Sequence, residues 1–192
     1  MRSRSQQLIL FLLGHFRAMP HVFHLNKEAL KRRFAVYVVI ARNGADTKLY
    51  VGKTGDNREG CNPVISRCGN HFSYNRIHSQ LRNKLADHEA RDYTYVFEHF
   101  DDYHEDLAAR RVAINRINEI ERSVNTRIAD LVRERRSCTL LNPFTGRGHV
   151  REQERQLRET FRTPETSKKI DALIQAVESE LERWNPLQHV AS

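Results

Sequence analysis

A β-hairpin constrains the fold of this chain more than any other feature of its sequence. Residues 34–41 are a run rich in apolar and β-branched side chains, and Asn43-Gly44 follows it almost at once. Asn-Gly favours a tight hairpin turn, so residues 48–53 are predicted to return as an antiparallel strand. The hairpin would place Tyr37 and Tyr50 on neighbouring strands.

Helices and a third strand are predicted after the hairpin. Residues 56–63 have the Gly, Asn and Pro content of a loop. Helices are predicted near 64–72 and 76–88, and residues 93–100 have the composition of a strand. Residues 105–136 carry apolar side chains near the 3.6-residue period and are predicted to form one long helix.

The C-terminal part of the sequence is helical and charged. Residues 138–141 are predicted to be extended and to enter a turn at 142–146, and two amphipathic helices broken at Thr163-Pro164 follow. The second of these helices has an apolar stripe, for which packing on the core is a simpler role than forming a subunit interface. The stripe consists of Ile170, Leu173, Ile174, Val177, Leu181 and Trp184.

This order of elements predicts an α+β fold with a small three-stranded antiparallel sheet flanked by helices. We divide the chain into a peripheral N-terminal segment (1–33), a central domain (34–146) and a C-terminal helical extension (147–192). The central domain carries the residues that suggest chemistry.

The charge of the chain is unevenly placed. The formal net charge is +8, with 16 Lys/Arg against 8 Asp/Glu in residues 1–100 and 16 against 16 in residues 101–192. The excess positive charge therefore belongs to the half with the hairpin, where it favours a polyanionic partner. Charge alone does not distinguish DNA from RNA.

Cysteine content and hydropathy indicate a cytoplasmic protein. Three cysteines cannot form a disulfide framework and favour a reducing compartment. The apolar run at 8–13 is far shorter than the roughly 20 residues that span a bilayer, so no membrane association is expected. Arg2 and Arg4 precede this run as in a signal peptide, but no small-residue cleavage site follows. Two explanations of this N-terminal segment remain open: translation begins at Met19, or the segment forms a peripheral helix.

Arg67 and His71 lie four residues apart and therefore on one face of the first predicted helix. An arginine fork pairs with phosphate oxygens, and an imidazole transfers protons near neutral pH. Beside the two tyrosines of the hairpin, this pair suits attack on a phosphodiester.

These residues together resemble the GIY-YIG nuclease family. The first motif of that family corresponds to Ala35-Val36-Tyr37, with alanine where glycine is usual, and the second to Tyr50-Val51-Gly52. The similarity extends over residues 34–142 and includes the Arg67/His71 pair. It implies a three-stranded sheet surrounded by helices, Tyr37 as the general base, and Tyr50 as the group that positions the phosphate or the water.

The resemblance also implies a glutamate on a later helix that binds one divalent metal, Mg²⁺ or Mn²⁺. Glu119 and Glu121 are the candidates. Glu121 leans toward the apolar stripe of the long helix, whereas Glu119, about 160° away around the helix, is expected to face solvent. We therefore assign the metal to Glu121. Asn142 matches the polar residue that braces the family's site, although a simple turn asparagine explains it equally well.

Several further residues are candidates for the site and its surroundings. Lys53, next to the second motif, would favour negative charge on a phenol. The spacing of Cys61, Cys68, His71 and His78 also offers the ligand types of a zinc site, but in a looser arrangement than structural zinc sites use. Cations that could follow a nucleic-acid backbone are Lys53, Arg58, Arg76, Arg82 and Lys84.

We predict a metal-dependent DNA endonuclease of restriction type. Because one site per chain cuts one strand, cleavage of both strands would require a homodimer. A repair or structure-specific nuclease of the same chemistry is the first alternative, and a nucleic-acid-binding module without catalysis is the second. The recognition sequence and the role of the C-terminal helices do not follow from the sequence.

Overall fold

The computed structural model describes residues 20–55, 61–75, 77–135, 137–144 and 152–183. Within these ranges there are four strands, which we name β1 to β4, five α-helices, α1 to α5, and two short 3-10 helices at Lys27–Leu30 and His88–Ala90. In chain order the strands and α-helices are β1 (Arg33–Asn43), β2 (Asp46–Lys53), α1 (Val64–Phe72), α2 (Gln80–Lys84), β3 (Asp92–Asp102), α3 (Leu107–Glu134), β4 (Cys138–Leu140), α4 (Glu152–Glu159) and α5 (Pro164–Arg183).

The strands form one mixed sheet in the order β3-β1-β2-β4. β1 pairs antiparallel with β2, as predicted, and it also pairs antiparallel with β3, whereas β4 pairs parallel with β2. The α+β class is therefore confirmed, whereas the prediction of three antiparallel strands is wrong. β4 has three residues, too few to show a strand period in the sequence. Its place in the sheet comes from its pairing with β2.

The predicted hairpin forms, but its turn lies one residue later than an Asn-Gly turn would place it. Asn43 pairs with Asp46, which leaves Gly44 and Ala45 as the two turn residues. Gly44 has a φ of 56°, a conformation that costs glycine little because it has no Cβ. The turn fixes the register that puts Tyr37 opposite Gly52.

β1 is the central strand of the sheet, and its two faces pack against different helices. Val36, Val38 and Ile40 belong to the main core with residues of α3 and α5. Tyr37 and Val39 point the other way and pack with Leu81 of α2 and with aromatic residues of β2 and β3. The sheet therefore lies between α3 and α5 on one side and α1 and α2 on the other.

The helix boundaries largely follow the sequence, with one error. Residues 64–72 are confirmed as α1, and the long helix runs as α3 from a start capped by Asp106, whose side chain accepts from the amide of Ala109 at 2.8 Å. The helix predicted over 76–88 is wrong, because α2 includes only Gln80–Lys84. A loop precedes it, and the buried Ser79 hydroxyl hydrogen-bonds to the backbone carbonyls of Ser73 and Asn75.

Glu119 does not face solvent, which corrects the prediction. It is 4% exposed, and its carboxylate lies 2.9 Å from Arg162, 3.6 Å from Arg122 and 4.0 Å from Arg158. The reason is that the C-terminal helices cover this part of α3, which helical periodicity within α3 alone does not reveal. Three arginines compensate the cost of burying the carboxylate.

The apolar stripe of α5 packs on the core. Ile170, Leu173, Ile174 and Val177 are buried there with residues of α3. Trp184 lies outside the described residues, as do residues 1–19. No helix in the described ranges is both long and apolar enough to span a membrane.

We expect Glu119→Gln to lower the free energy of unfolding by about 1–3 kcal/mol, because the charge that holds Arg158 and Arg162 against α3 is lost. Urea denaturation of the variant and the wild type measures this difference. The control is Glu165→Gln, which removes an 82% exposed carboxylate 3.7 Å from Lys169 and should change stability by less than about 0.5 kcal/mol. Equal stability of Glu119→Gln and wild type would contradict the assignment.

Candidate active site

Tyr37 and His71 form a buried hydrogen bond at the centre of the site. The phenol oxygen lies 2.8 Å from His71 Nε2, and the two rings meet edge to face with centroids 5.7 Å apart. Tyr37 comes from the middle of β1 and His71 from the last turn of α1. Both are nearly inaccessible, at 0% and 2% exposure.

Gly52 makes room for the Tyr37 ring. The two residues are directly opposite in the β1–β2 pair. A Cβ on Gly52 would lie 2.5 Å from both Cζ and the hydroxyl oxygen of Tyr37, closer than any ordinary contact. The glycine that ends the Tyr50-Val51-Gly52 motif is therefore explained by packing, because the phenol lies across its backbone.

Arg67 and Tyr50 complete this face of the site. Arg67 stands one helical turn before His71, and the positive charge of its guanidinium acts on Tyr37 by lowering the pKa of the phenol. The Tyr50 ring contacts His71 edge to face at a centroid distance of 5.1 Å. The structure thus brings together the two tyrosines, the arginine and the histidine.

Burial controls the protonation of the Tyr37–His71 pair. It raises the pKa of Tyr37 well above the usual tyrosine value, and the positive charge of Arg67 only partly opposes this. Burial also lowers the pKa of His71 to about 4, and the charge of Arg67 acts in the same direction. Both groups are therefore neutral at pH 7. The Tyr37 hydroxyl and Nε2 then share a neutral hydrogen bond whose direction depends on the imidazole tautomer, and the buried Nδ1 has no hydrogen-bond partner among the described residues.

Glu121 and Lys53 approach the site from the other side of the sheet. Their charged groups are 3.5 Å apart, and Lys53 directly follows Gly52 at the end of β2. The Glu121 carboxylate raises the pKa of Tyr37, so it lies within electrostatic reach of the phenol. Glu121 belongs to α3, which packs on the opposite face of the sheet from α1. The two sets of groups therefore lie on opposite faces of the sheet, with Glu121 within electrostatic reach of the phenol.

Asn142 fastens the chain after β4 to this end of β2. Its side-chain oxygen accepts from the amide of Val51 at 3.1 Å, and its side-chain nitrogen donates to the Val51 carbonyl at 2.7 Å. Buried Asn125, one turn after Glu121 on α3, donates to the Asn142 carbonyl at 2.9 Å and accepts from the Phe144 amide at 2.7 Å. Asn142 thus holds the chain after β4 against β2 through both polar atoms of its side-chain amide.

A cleft of about 320 Å³ opens beside Glu121 and is lined by Asn125, Asn142 and Phe144 among others. The Glu121 carboxylate is partly accessible, with 29% of the side chain exposed. A single carboxylate with water and phosphate oxygens is a typical ligand set for Mg²⁺, so the residues present fit this ion. The described ranges contain no group of three or more His, Cys, Asp or Glu side chains placed to hold a metal by themselves.

The predicted nucleic-acid contacts lie in different environments. Lys53 has a side chain only 12% exposed and belongs to the site itself. Arg82 is half-buried and stacks on Tyr74, whereas Lys84 is exposed at the end of α2. Arg58 and Arg76 lie outside the described residues.

The structure gives Cys61 a role in packing. Its thiol is buried and donates to the carbonyl of Arg33 at 3.0 Å. Thr54 bridges the same region, accepting from the Ala35 amide at 2.8 Å and donating to the Arg33 carbonyl at 2.9 Å. His71 in turn bonds to Tyr37. The described part of the chain therefore offers no zinc site built from these cysteines.

Two residues of the site were missed in the sequence. Tyr95 of β3 lies behind the central pair, with its ring 5.9 Å from that of Tyr37 and 6.3 Å from that of His71. Its position could have been found from the alternation along the predicted third strand. Asn125 could have been found from its four-residue spacing to Glu121, which puts both side chains on one face of α3.

We expect Gly52→Ala to reduce stability by about 1–3 kcal/mol, because the new methyl group displaces the buried Tyr37 ring. Chemical denaturation measures the loss. Gly69→Ala is the matched control: it adds the same methyl group to α1, where nothing lies within 4 Å, and should raise stability by about 0.5–1 kcal/mol. Similar effects of the two substitutions would show that the Tyr37 ring does not lie over Gly52.

The pKa of His71 should be about 4 in an NMR titration rather than 6.5, the usual value of a histidine. The unfolded chain binds the His71 proton more readily than the folded chain does. The contribution of neutral His71 to the free energy of unfolding is therefore complete above pH 6.5 and is lost as the pH falls toward 4. Over that range the unfolding free energy of the wild type should fall by about 3 kcal/mol relative to His71→Asn. A His71 titration at pH 6 or above would contradict the burial-driven shift.

Comparison with protein-family models, with curated proteins and with solved structures finds no match for this chain. The chemical interpretation of the site therefore depends on its own geometry. That geometry combines a buried phenol–imidazole pair, a guanidinium beside it and a carboxylate–ammonium pair at the end of β2.

Proposed function

We propose that the chain is a metal-dependent DNA endonuclease of the GIY-YIG type. The observation that supports this most directly is the 2.8 Å hydrogen bond between the Tyr37 hydroxyl and His71 Nε2, with Arg67 beside it. Strongly shifted pKa values caused by burial and a specific charge partner are typical of functional sites. A module that only binds nucleic acid needs exposed cations rather than a buried phenol and imidazole.

Arg67 and Lys53 would neutralise the scissile phosphate. The guanidinium of Arg67 presents a planar set of donors suited to two phosphate oxygens. Lys53 carries a second positive charge at the end of β2, held there by Glu121. Such fixed charges stabilise the transition state of phosphoryl transfer, in which negative charge accumulates on the phosphoryl oxygens.

Tyr37 would act as the general base with the help of His71. The Tyr37 oxygen is buried in the free protein, so phosphate binding would have to uncover it. As water attacks phosphorus, its proton would then pass to the Tyr37 oxygen, and the phenol proton would pass along the existing hydrogen bond to His71 Nε2. A phosphate bound to Arg67 offsets the repulsion that this arginine exerts on a protonated imidazole. Substrate binding therefore makes His71 a better proton acceptor than it is in the free site.

Glu121 would hold the metal ion. When bound, Mg²⁺ supplies positive charge that offsets the charge on the phosphoryl and leaving oxygens. Asn125 and Asn142 fix the backbone around the Glu121 cleft, and the Tyr50 ring holds the His71 imidazole in its orientation.

A plasmid-nicking assay with Mg²⁺ tests this proposal. Wild type should convert supercoiled DNA to open circles. Tyr37→Phe, Arg67→Ala and Glu121→Ala should each reduce the rate by about 10²-fold or more, because each removes a group that acts in the chemical step. The matched control is Glu134→Ala, which removes an exposed carboxylate from the end of the same helix. If wild type leaves the plasmid intact, the endonuclease proposal is refuted, and the chain would instead be a nucleic-acid-binding module without catalysis.

The type of nuclease follows from the products of the same reaction. A sequence-specific restriction enzyme acting as a homodimer gives discrete fragments from a large DNA. Cleavage confined to forks, flaps or damaged duplex would instead assign the chain to repair.

A further inference from the structure

The loop between α1 and α2 exposes two large apolar side chains. Tyr74 is 82% exposed and Ile77 is 77% exposed. The backbone around them is held by hydrogen bonds: the Ile77 amide donates to Asn75 Oδ1 at 2.9 Å, and the Ser79 amide donates to the Asn75 carbonyl at 3.1 Å. The buried Ser79 hydroxyl closes the loop. These hydrogen bonds hold the described backbone at Asn75, Ile77 and Ser79, next to the two exposed side chains.

Arg82 supports the Tyr74 ring from one side. The guanidinium carbon lies 4.1 Å from the ring centroid, and Nη1 donates to the Ser73 carbonyl at 3.2 Å. A cation at this distance interacts with the π face of the ring and restrains it. The exposure of Tyr74 leaves the other face of the ring available to a planar partner.

The charge around this loop favours a nucleic acid. Residues 61–86 contain Arg67, Arg76, Arg82 and Lys84 and no Asp or Glu. The loop also begins at Ser73, two residues after His71, so it continues directly from the candidate active site.

We propose that Tyr74 and Ile77 insert into a base-pair step of the duplex DNA that this site cleaves, an inference that rests on the proposed function. Tyr74 would stack on a base with its open face, with Arg82 behind the ring. Ile77 would act as an apolar wedge beside it. Aromatic side chains stack on bases of any sequence, and apolar wedges separate neighbouring base pairs and kink the duplex.

The alternative of a protein partner fits the surface less well. Two apolar side chains flanked by Asn75 and His78 offer a small apolar area compared with the roughly 800 Å² per partner of a stable protein interface. The absence of acidic residues from the surrounding sequence also favours an anionic ligand.

Permanganate footprinting of plasmid DNA with the full chain in EDTA tests the insertion without cleavage. Wild type should increase the reactivity of thymines, which rises when bases unstack. Tyr74→Ala and Ile77→Ala should lose this increase, and Tyr74→Ala should weaken binding to a 30-base-pair duplex by about 5- to 150-fold. The dependence of affinity on salt should stay the same, because no phosphate contact is removed.

Two controls separate insertion from general effects. Tyr74→Phe keeps the ring and should behave as wild type. Leu107→Ala removes a 72% exposed apolar side chain at the start of α3 and should change neither footprint nor affinity. Thermal unfolding of each variant confirms that it is folded.

Three other outcomes would overturn the insertion, and a fourth would separate it from the endonuclease proposal. Unchanged footprints and affinities in both alanine variants would exclude it even if plasmid nicking is normal. No binding to duplex DNA would also exclude it, and a dimer lost in the Tyr74→Ala or Ile77→Ala variant by sedimentation would assign the loop to a protein interface. A footprint that depends on Tyr74, from a chain that nicks no DNA with Mg²⁺, would support the insertion while refuting the endonuclease.

Discussion

The placement of the Tyr37 ring across Gly52 is the constraint on which the site depends. The ring can reach His71 only because the residue opposite it in the hairpin has no side chain. The register set by the Gly44 turn therefore determines whether the phenol and the imidazole meet. A shift by one residue would turn Tyr37 toward α3 and away from α1.

The hairpin and two of the helices could be predicted from the sequence, because the pattern that specifies each of them lies within its own residues. The hairpin, α1 and α3 follow from a turn dipeptide and from apolar periodicity, and the Arg67/His71 pair follows from helical spacing. The burial of Glu119 could not be predicted, since its arginine partners at 158 and 162 come from a later part of the chain. The parallel pairing of β4 depends on tertiary contacts in the same way.

The two faces of the sheet contribute different chemistry. The α1 face supplies a buried phenol and imidazole, and burial keeps both neutral. The α3 face supplies the ion pair of Lys53 and Glu121, which is partly exposed to solvent. Separation by the sheet allows a low-dielectric proton pair and a hydrated charged pair to coexist within electrostatic reach, a combination that a single packed surface would not provide.

The bond between Asn142 and Val51 has a consequence for how the site is assembled during synthesis. These residues are 91 positions apart, so the hairpin with both tyrosines can form well before its last partner leaves the ribosome. Until α3 is complete and packed on the sheet, the Val51 backbone has no hydrogen bonds from the Asn142 side chain. Glu121 is likewise not yet positioned beside Lys53. A nascent chain that stops before residue 142 therefore has the phenols but not the assembled centre, and the topology of the fold delays assembly until nearly the whole core is present.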